Sequence, residues 1–178
     1  MVRKIAIVGA HSSGKTSLVY ALAAALKKRD KSVGVVIESV RRSPFPLGTK
    51  EFYDWVVPAT ILAEIEAGQG HEFLICDRTP ADTLAYMKAA GFKIPDTLWN
   101  YLDDYLQSYE SIVLLEPNRP IVDDGFRHTD EVHRDAVVKA FRETFITLKA
   151  SSYKKEELYE NAEKLAEDIL NAESTITR

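Results

Sequence analysis

One eight-residue segment near the amino terminus constrains the fold of this chain more than any other feature. Residues 9–16 read GAHSSGKT and match the pattern G-x-x-x-x-G-K-[ST] without a mismatch. A short apolar run precedes the segment and a helix-forming run follows it, which is the context that this motif requires. Glycines let the backbone curl so that successive N–H groups point inward, and the motif therefore predicts a phosphate-binding loop.

The residue types of the loop suit a nucleoside triphosphate with Mg²⁺. The helix that begins near Lys15 directs its positive dipole end at the phosphates. The Lys15 ammonium can bridge the β- and γ-phosphates, and the Thr16 hydroxyl is a hard oxygen ligand for Mg²⁺. We expect ATP or GTP to be bound by nine consecutive residues: Gly9, Ala10, His11, Ser12, Ser13, Gly14, Lys15, Thr16 and Ser17.

Strand-like and helix-like runs alternate along the chain, which predicts an α/β protein with a parallel sheet covered by helices on both faces. The predicted strands are 3–8, 32–37, 72–76, 111–115 and 144–148. The predicted helices are 16–28, 50–67, 79–90, 96–107, 130–142 and 154–171. Pro58 is expected to bend or divide the second helix. The length of 178 residues predicts one domain, 1–178, with a lid segment near 118–134.

Composition excludes several other classes of function. The formal net charge is −4 and no segment concentrates Lys and Arg, so nucleic acid is not expected as the main partner. Cys76 is the one cysteine, which rules out an internal disulfide. The apolar run before the loop is too short for a signal peptide, and no run reaches the length of a membrane span. We expect a soluble, cytoplasmic protein of unknown oligomeric state.

Among proteins with such a loop, a small-molecule kinase fits best. The N-K-x-D motif by which GTPases usually recognise guanine is missing from the sequence. The third predicted strand is followed by Asp77-Arg78, whereas motor and transport ATPases often end a long apolar strand in Asp-Glu. The rival hypothesis is a nucleotide-dependent switch or regulatory ATPase, whose phosphoryl acceptor is only water.

Four segments carry a resemblance to a known family. They are Gly9–Thr16, Glu38-x-x-Arg41, Asp77-Arg78-x-x-x-Asp82-x-x-x-Tyr86 and Val122-Asp123-Asp124-Gly125-x-Arg127. Over nearly its whole length the chain resembles the small AAA-like P-loop kinases that include the ribosylnicotinamide kinase domain, with kinship to deoxynucleoside and nucleoside monophosphate kinases. The resemblance implies strand order 2-3-1-4-5, ATP as donor and a nucleoside-like acceptor. Arg78 departs from the ribosylnicotinamide kinase pattern and matches deoxynucleoside kinases, which argues against nicotinamide riboside itself.

The predicted acceptor site lies beyond the second and third strands, because ligands of open parallel sheets bind at the carboxyl ends of the strands. Glu38 could accept the proton of an attacking hydroxyl, a role that the kinase resemblance implies, or it could be a solvated acid. Arg41 could hold a phosphate or sugar of the acceptor, or be a loop charge. Asp77 is a candidate Mg²⁺ ligand, an acceptor ligand or the alternative base.

Two arginines are candidates for stabilising charge on the transferred phosphoryl group. Arg78 could point at that group or at the acceptor oxygen, or form a surface salt bridge. Arg127 lies in the predicted lid, where closure would bring it onto the phosphates and exclude water. Together with Lys15 and Glu38 they form the predicted catalytic set.

The remaining polar and aromatic candidates have ordinary structural explanations. Thr79 and Asp82 have the spacing of a capping box, so we interpret Asp82 as a helix cap. Tyr86 lies one turn further on and is expected to pack. Phe52, Tyr53 and Trp55 could stack on a base, but aromatic residues at helical spacing are more often core.

Overall fold

Five parallel strands form one sheet in the computed structural model, which describes residues 2–11, 13–115, 131–147, 151–153 and 162–176. The strand order β2-β3-β1-β4-β5 is the order that the resemblance implies. The first four strands form the main part of the sheet, and β5 adds three residues at one edge. The strands are β1 (Arg3–Val8), β2 (Val33–Val36), β3 (Phe73–Asp77), β4 (Tyr109–Leu115) and β5 (Ser151–Tyr153).

Helices cover both faces of the sheet, which confirms the predicted α/β architecture. On one face, Ile5 and Ile7 of β1 pack with Leu18 and Leu22 of α1 and with Leu165 of α6. The other face carries α2, α3, α4 and α5. The helices are α1 (Lys15–Lys27), α2 (Lys50–Gly68), α3 (Asp82–Ala89), α4 (Asp96–Leu106), α5 (Glu131–Thr147) and α6 (Ala162–Ile176).

The central strands are apolar throughout because both of their faces are buried. Ile5, Ala6, Ile7 and Val8 are fully inaccessible to solvent, and β3 is buried over its whole length. Successive side chains of a strand point to opposite faces, so Ala6 and Val8 join the core below α2 to α5. This arrangement fixes the carboxyl ends of β1 and β3 side by side, with Ile7 in register with Asp77.

The predicted fifth strand at 144–148 is wrong. Residues 144–147 are the last turn of α5, and residue 148 lies outside the described residues. Buried Val137, Phe141, Thr144 and Phe145 recur at the three- and four-residue spacing of one helix face, which outweighs the local strand propensity. The edge strand is instead Ser151–Tyr153, which pairs with β4.

Pro58 does not divide the second helix, because α2 is continuous from Lys50 to Gly68. Thr49 caps its start, with the side-chain oxygen accepting a hydrogen bond of 3.2 Å from the N–H of Phe52. One uninterrupted helix therefore extends along the sheet from the carboxyl edge, where Phe52 lies, to the amino edge. Near its end, the Ala67 carbonyl approaches Gly34 of β2 so closely that a Cβ at Gly34 would lie 2.2 Å from it.

Candidate functional site

The predicted phosphate loop connects β1 directly to α1. Gly9 has φ 138°, and a Cβ at this position would lie 2.2 Å from the carbonyl oxygen of Leu115, so only glycine fits. Gly14 has φ 84° and immediately precedes the first residue of α1. His11 and Ser13 are buried within the loop, and Ser12 lies outside the described residues. Gly9 and Gly14 thus have the backbone conformations for which the motif requires glycine.

Lys15 directs its ammonium group into this curl. Its Nζ donates hydrogen bonds to the carbonyl oxygen of Ala10 at 2.6 Å and to Ser13 Oγ at 3.2 Å. Burial, reinforced by the charge of Arg78, lowers the pKa of Lys15 to about 7. Phosphate oxygens bound at the loop would favour the charged ammonium.

Thr16 and Asp77, the two predicted Mg²⁺ ligands, are in direct contact. The Thr16 hydroxyl donates a hydrogen bond to Asp77 Oδ2 across the carboxyl ends of β1 and β3. A hydroxyl and a carboxylate are the hard oxygen ligands that Mg²⁺ prefers, so this pair suits the ion. Among the described residues no group of three or more His, Cys, Asp or Glu side chains could hold a metal. Ser17, the last predicted loop residue, is exposed in the first turn of α1.

Arg78 is the centre of a buried ionic cluster and has an unusual backbone. Its φ of 89° is rare for a residue with a side chain, and conformations of this kind cost about 1 to 3 kcal/mol. The strain is held in place by a hydrogen bond of 3.0 Å from its N–H to the carbonyl oxygen of Ile7. The guanidinium is therefore aimed back under the phosphate loop, where Nη1 lies 3.3 Å from the carbonyl oxygen of Gly9.

Three side chains hold the Arg78 guanidinium in the cluster. Nε donates to Glu38 Oε1, Nη1 to Asp82 Oδ1 at 3.0 Å, and Nη2 to the Tyr86 hydroxyl at 3.1 Å. Burial disfavours the charged form, but Glu38, Tyr86 and Asp82 outweigh it and raise the pKa of Arg78. The Arg78 side chain is only 6% exposed. Its charge is therefore buried, and the ion pair with Glu38 is not a surface salt bridge.

Asp82 binds Thr79 as the spacing of the two residues predicts, but α3 begins at Asp82 itself and its N-cap residue, Ala81, makes no side-chain cap hydrogen bond. Asp82 also belongs to the ionic cluster. Its Oδ2 accepts hydrogen bonds from the Thr79 N–H at 2.9 Å and the Thr79 hydroxyl at 3.0 Å. Oδ1 is left to accept from Arg78. Tyr86 likewise packs edge-on against Phe141, with ring centroids 5.3 Å apart, while its hydroxyl binds Arg78.

The spacing of Asp82 and Tyr86 indicates part of this cluster, in addition to the cap and packing roles predicted for the two residues. Asp82 and Tyr86 lie four apart on one face of α3, whereas Arg78 precedes the helix and has φ 89°. The helical spacing therefore predicts that Asp82 and Tyr86 lie together, but it does not place Arg78 beside them. No comparable pattern in the sequence indicates Thr60 and Thr83, which also line the site.

A cavity opens beside the ionic cluster, between the carboxyl edge of the sheet and helices α2 and α3. The empty space between its lining residues is about 430 Å³ with open solvent included. Glu38, Asp77 and Arg78 form its polar side, and Phe52 and Tyr53 line it from α2. The two aromatic residues are also buried core residues, as their helical spacing favours, and stacking on a base stays a prediction. Trp55 instead lines a groove on the outer side of α2.

Two predicted site residues are not found in this cavity. Arg41 is exposed in a short 3₁₀ turn, Val40–Arg42, and lies outside the cavity lining. Arg127 and most of the predicted lid, 118–130, lie outside the described residues, and residues 131–134 are the first turn of α5. Within the described part of the chain, no helix combines the length and apolar character needed to cross a bilayer.

A comparison with models of protein families shows to which family this chain belongs. A family model described as an AAA domain matches residues 4–163. The chain belongs to this AAA domain family. No curated protein matches the chain at a significant level.

Three solved structures, one of them a deoxyadenosine kinase, share the fold of this AAA domain. Deoxyadenosine kinase from M. mycoides with bound dATP superposes with a TM-score of 0.62 at 17% identity, covering 94% of this chain and 99% of that one. The NadR protein in complex with NR gives 0.60 at 18% identity, covering 86% of this chain and 45% of its own. YorR from Bacillus subtilis, in complex with phosphorylated GDP, gives 0.56 at 15% identity, with 96% and 95% covered. The predicted resemblance is thereby confirmed at the level of the fold.

Proposed function

We propose that this AAA domain is an ATP-dependent phosphotransferase that phosphorylates a hydroxyl group of a small, nucleoside-like acceptor. The observation that carries the proposal is the position of the Glu38–Arg78 pair. This pair lies between the phosphate loop and the cavity, since Arg78 contacts Gly9 of the loop and both residues line the cavity. The solved proteins with this fold include a deoxyadenosine kinase, which favours phosphoryl transfer over simple hydrolysis.

On the donor side, the loop would hold the triphosphate and Lys15 would neutralise its β- and γ-phosphates. Thr16 and Asp77 would hold Mg²⁺, which when bound supplies positive charge to the phosphate oxygens. Phosphoryl transfer has a loose transition state with charge spread over the equatorial oxygens. Catalysis would therefore depend on positioning and electrostatics more than on covalent steps.

On the acceptor side, Glu38 would orient the attacking hydroxyl and accept its proton. The acceptor oxygen forms a bond to the γ-phosphorus, the bond from that phosphorus to the ADP oxygen breaks, and the hydroxyl proton passes to the Glu38 carboxylate. Arg78 keeps Glu38 in place and directs positive charge at the region between donor and acceptor. Asp77 is the alternative base if it does not hold the metal.

The charges around the cavity favour an acceptor that carries no phosphate group. Glu38, Asp77 and Asp82 line the cavity, whereas Arg78 is the one cation among its described lining residues. Arg78 is already paired with two of these carboxylates. An anionic acceptor would thus meet uncompensated negative charge, while a neutral or cationic ring could pack against Phe52 and Tyr53.

Two further residues, Arg41 and Arg127, are proposed to contact the substrates from outside the cavity lining. Arg41 follows Glu38 by three residues and is exposed directly after Val40, which lines the cavity, so it could contact the outer part of an acceptor. Arg127 belongs to the proposed lid, from which it could reach the phosphoryl group on closure. Both would act only with substrates bound.

The test is ADP release from ATP with Mg²⁺ in the presence of nucleosides, nicotinamide riboside and nucleoside monophosphates, with Lys15→Ala as the blank. We expect at least one unphosphorylated nucleoside to raise turnover well above the rate with water alone, and a phosphorylated product to appear. A preference for monophosphates would contradict the charge argument. If every acceptor leaves the same slow hydrolysis, the protein is a regulatory ATPase and the cavity is not an acceptor site.

A further inference from the structure

Most polar side chains that line the acceptor cavity are already hydrogen-bonded within the protein. Asp82 and Tyr86 both bind Arg78. The Thr60 hydroxyl donates a hydrogen bond of 2.8 Å to the carbonyl oxygen of Val56, so its proton is committed to the backbone of α2. An acceptor would meet these groups only in competition with their present partners.

Thr83, in the first turn of α3, lines the same cavity but differs from these groups. The residue is only 6% exposed, and its hydroxyl makes no hydrogen bond within the part of the chain that the structure describes. A buried hydroxyl without a partner is unfavourable, because it has lost its bonds to bulk water and gained nothing in exchange. Such a group in the wall of a cavity indicates that a bound molecule provides the partner.

The position of Thr83 on α3 places it beside the part of the cavity that is proposed for the acceptor ring. Residues four apart lie on one face of a helix, so Thr83 shares a face with Met87. Met87 packs in one cluster with Phe52 and Tyr53, the two aromatic residues against which a ring could pack. Thr83 is thus the polar residue of the α3 face that adjoins these aromatic side chains.

Two further hydroxyls of the lining, those of Ser39 and Tyr53, likewise make no hydrogen bond to the described residues. Ser39 directly follows Glu38, so it belongs to the end of the cavity where the proposed reaction takes place. Tyr53 already has a proposed role through the face of its ring. Thr83 has the shortest reach and a side chain that branching at Cβ makes stiff, so its hydroxyl would occupy a fixed place relative to a bound ring.

We propose that the Thr83 hydroxyl forms a hydrogen bond with a polar atom on the edge of the acceptor ring and so determines part of the acceptor specificity. The inference rests on the proposed function, because it concerns the same cavity. A hydroxyl can donate or accept, so a ring nitrogen, an amino group or a carbonyl oxygen of a nucleoside base would each suit it. A hydrocarbon ring would leave the hydroxyl buried and unpaired, and such an acceptor is disfavoured.

Titration calorimetry with adenosine, guanosine, cytidine and uridine, in the presence of ADP and Mg²⁺, tests the role of this hydroxyl. Thr83→Val removes it with little change of shape, and we expect the dissociation constant of each nucleoside that binds to rise about two- to tenfold. Thr83→Ser keeps the hydroxyl and should remain close to the wild type. A riboside in which a benzene ring replaces the base should bind the wild-type chain and Thr83→Val equally, because it offers the hydroxyl no partner.

Two further measurements distinguish binding of the acceptor from a structural role. In steady-state kinetics, Thr83→Val should raise the KM for the nucleoside and leave kcat and the KM for ATP nearly unchanged. In thermal unfolding without ligands, Thr83→Val should not lower the midpoint, since no hydrogen bond within the described chain is lost. Thr60→Val should lower the midpoint, because it removes the hydrogen bond to Val56.

Thr144→Val is the matched control. The buried Thr144 hydroxyl on α5 also has no hydrogen-bond partner among the described residues, but Thr144 does not line the cavity. This substitution should leave nucleoside binding unchanged.

The inference is overturned, and the proposed function is kept, if Thr83→Val binds and phosphorylates nucleosides as well as the wild type does. A lowered unfolding midpoint of Thr83→Val without ligands would also contradict it, because the hydroxyl would then have a structural role. If the wild-type chain neither binds nor phosphorylates any of the nucleosides, the proposed function fails and this inference fails with it.

Discussion

Two buried ionic clusters lie at opposite edges of the same sheet. They differ in charge balance, in backbone conformation and in whether a cavity adjoins them. At the carboxyl edge, Arg78 binds Glu38 and Asp82 beside the cavity. At the amino edge, Lys4 of β1 forms an ion pair of 3.0 Å with Glu64, which is 2% exposed on α2. Buried charge by itself therefore does not mark a functional site, and other properties have to separate the two.

The amino-edge cluster is balanced and closed. The Tyr105 hydroxyl donates to Glu64 Oε2 at 3.0 Å, and the Tyr109 hydroxyl donates to Oε1. Lys4 Nζ lies 4.3 Å from the centre of each of the two phenol rings. One cation meets one anion, every residue belongs to a regular strand or helix, and the hydroxyls complete the coordination of the carboxylate. Such a cluster fixes α2 and α4 on the sheet and has nothing left to offer a ligand.

The carboxyl-edge cluster has the opposite properties. Two carboxylates bind one guanidinium, the neighbouring Asp77 adds a third acid, and the backbone at Arg78 is strained with φ 89°. The cluster also borders the cavity and the phosphate loop. Excess charge, backbone strain and an adjoining cavity together indicate function. The following predictions test whether this distinction is correct.

The largest effect is expected for Glu38→Gln. Loss of the carboxylate should lower the rate of phosphoryl transfer by about 10²- to 10⁴-fold, the usual contribution of a general base. Binding of ATP, measured by calorimetry, should be retained because Glu38 lies outside the phosphate loop. Stability should fall less than in the amino-edge variant below, since Arg78 keeps Asp82. A variant with full transfer activity would show that Asp77 or another group is the base.

The counterpart at the amino edge is Glu64→Gln, which should affect stability and not activity. Removing this carboxylate leaves Lys4 buried without its counter-ion, and we expect unfolding by urea to show a loss of about 3 to 5 kcal/mol. The double variant Lys4→Met with Glu64→Gln should lose less, because no unpaired charge remains. If activity per folded molecule falls with Glu64→Gln, the two clusters are coupled through α2 and the contrast between them fails.

Alkaline pH should act mainly on the amino-edge cluster. Burial, followed by the charge of Glu64, raises the pKa of both Tyr105 and Tyr109 above the ordinary value. In the unfolded chain these phenols lose their protons near pH 10, while in the folded protein they keep them. Stability is therefore fully present below pH 10 and is lost as the pH rises, by about 1 kcal/mol per tyrosine between pH 10 and 11.

The measurement is urea unfolding at closely spaced pH values from about 9 to 11, which bracket the ordinary tyrosine pKa. Tyr105→Phe combined with Tyr109→Phe should have lower stability at the start of this range but a flatter dependence at its end. An equally steep decline in the double variant would assign the titration to other groups, such as Tyr53, whose pKa burial raises to about 12.

The difference between the two edges of the sheet also explains which features could be predicted from the sequence alone. The phosphate loop was predictable because each of its residues has a local backbone or chemical requirement, as Gly9 shows. The hydrogen bond between Thr79 and Asp82 was predictable from their spacing for the same reason. Glu64, in contrast, looks like any helix acid, and only the tertiary fold brings it to Lys4 and Tyr109.

The strand wrongly predicted at 144–148 has a related cause. A short apolar run was interpreted by its local composition, although buried residues from Val137 to Phe145 follow the helical period. Periodicity over several turns is stronger evidence than the propensity of a short run. The error displaced the edge strand by a few residues but left the predicted strand order intact, because the order came from the resemblance.

The smallest effect on activity is expected when one tyrosine hydroxyl is removed from each cluster in turn. Tyr86→Phe and Tyr105→Phe each remove a hydroxyl that is hydrogen-bonded to a charged group. Each substitution should therefore cost about 1 to 2 kcal/mol of unfolding free energy, measured by urea unfolding. Their effects on activity should differ, because only Tyr86 contacts a residue of the proposed site.

Without the Tyr86 hydroxyl, the Arg78 guanidinium still has its two carboxylates and the loop carbonyl. We expect kcat to fall by less than about tenfold with little change in the KM for ATP, whereas Tyr105→Phe should leave both constants unchanged. A loss for Tyr86→Phe as large as that for Glu38→Gln would mean that its hydroxyl contacts the reacting groups. An unchanged kcat would mean that the remaining partners alone set the position of Arg78, and that Tyr86 is as purely structural as Tyr105.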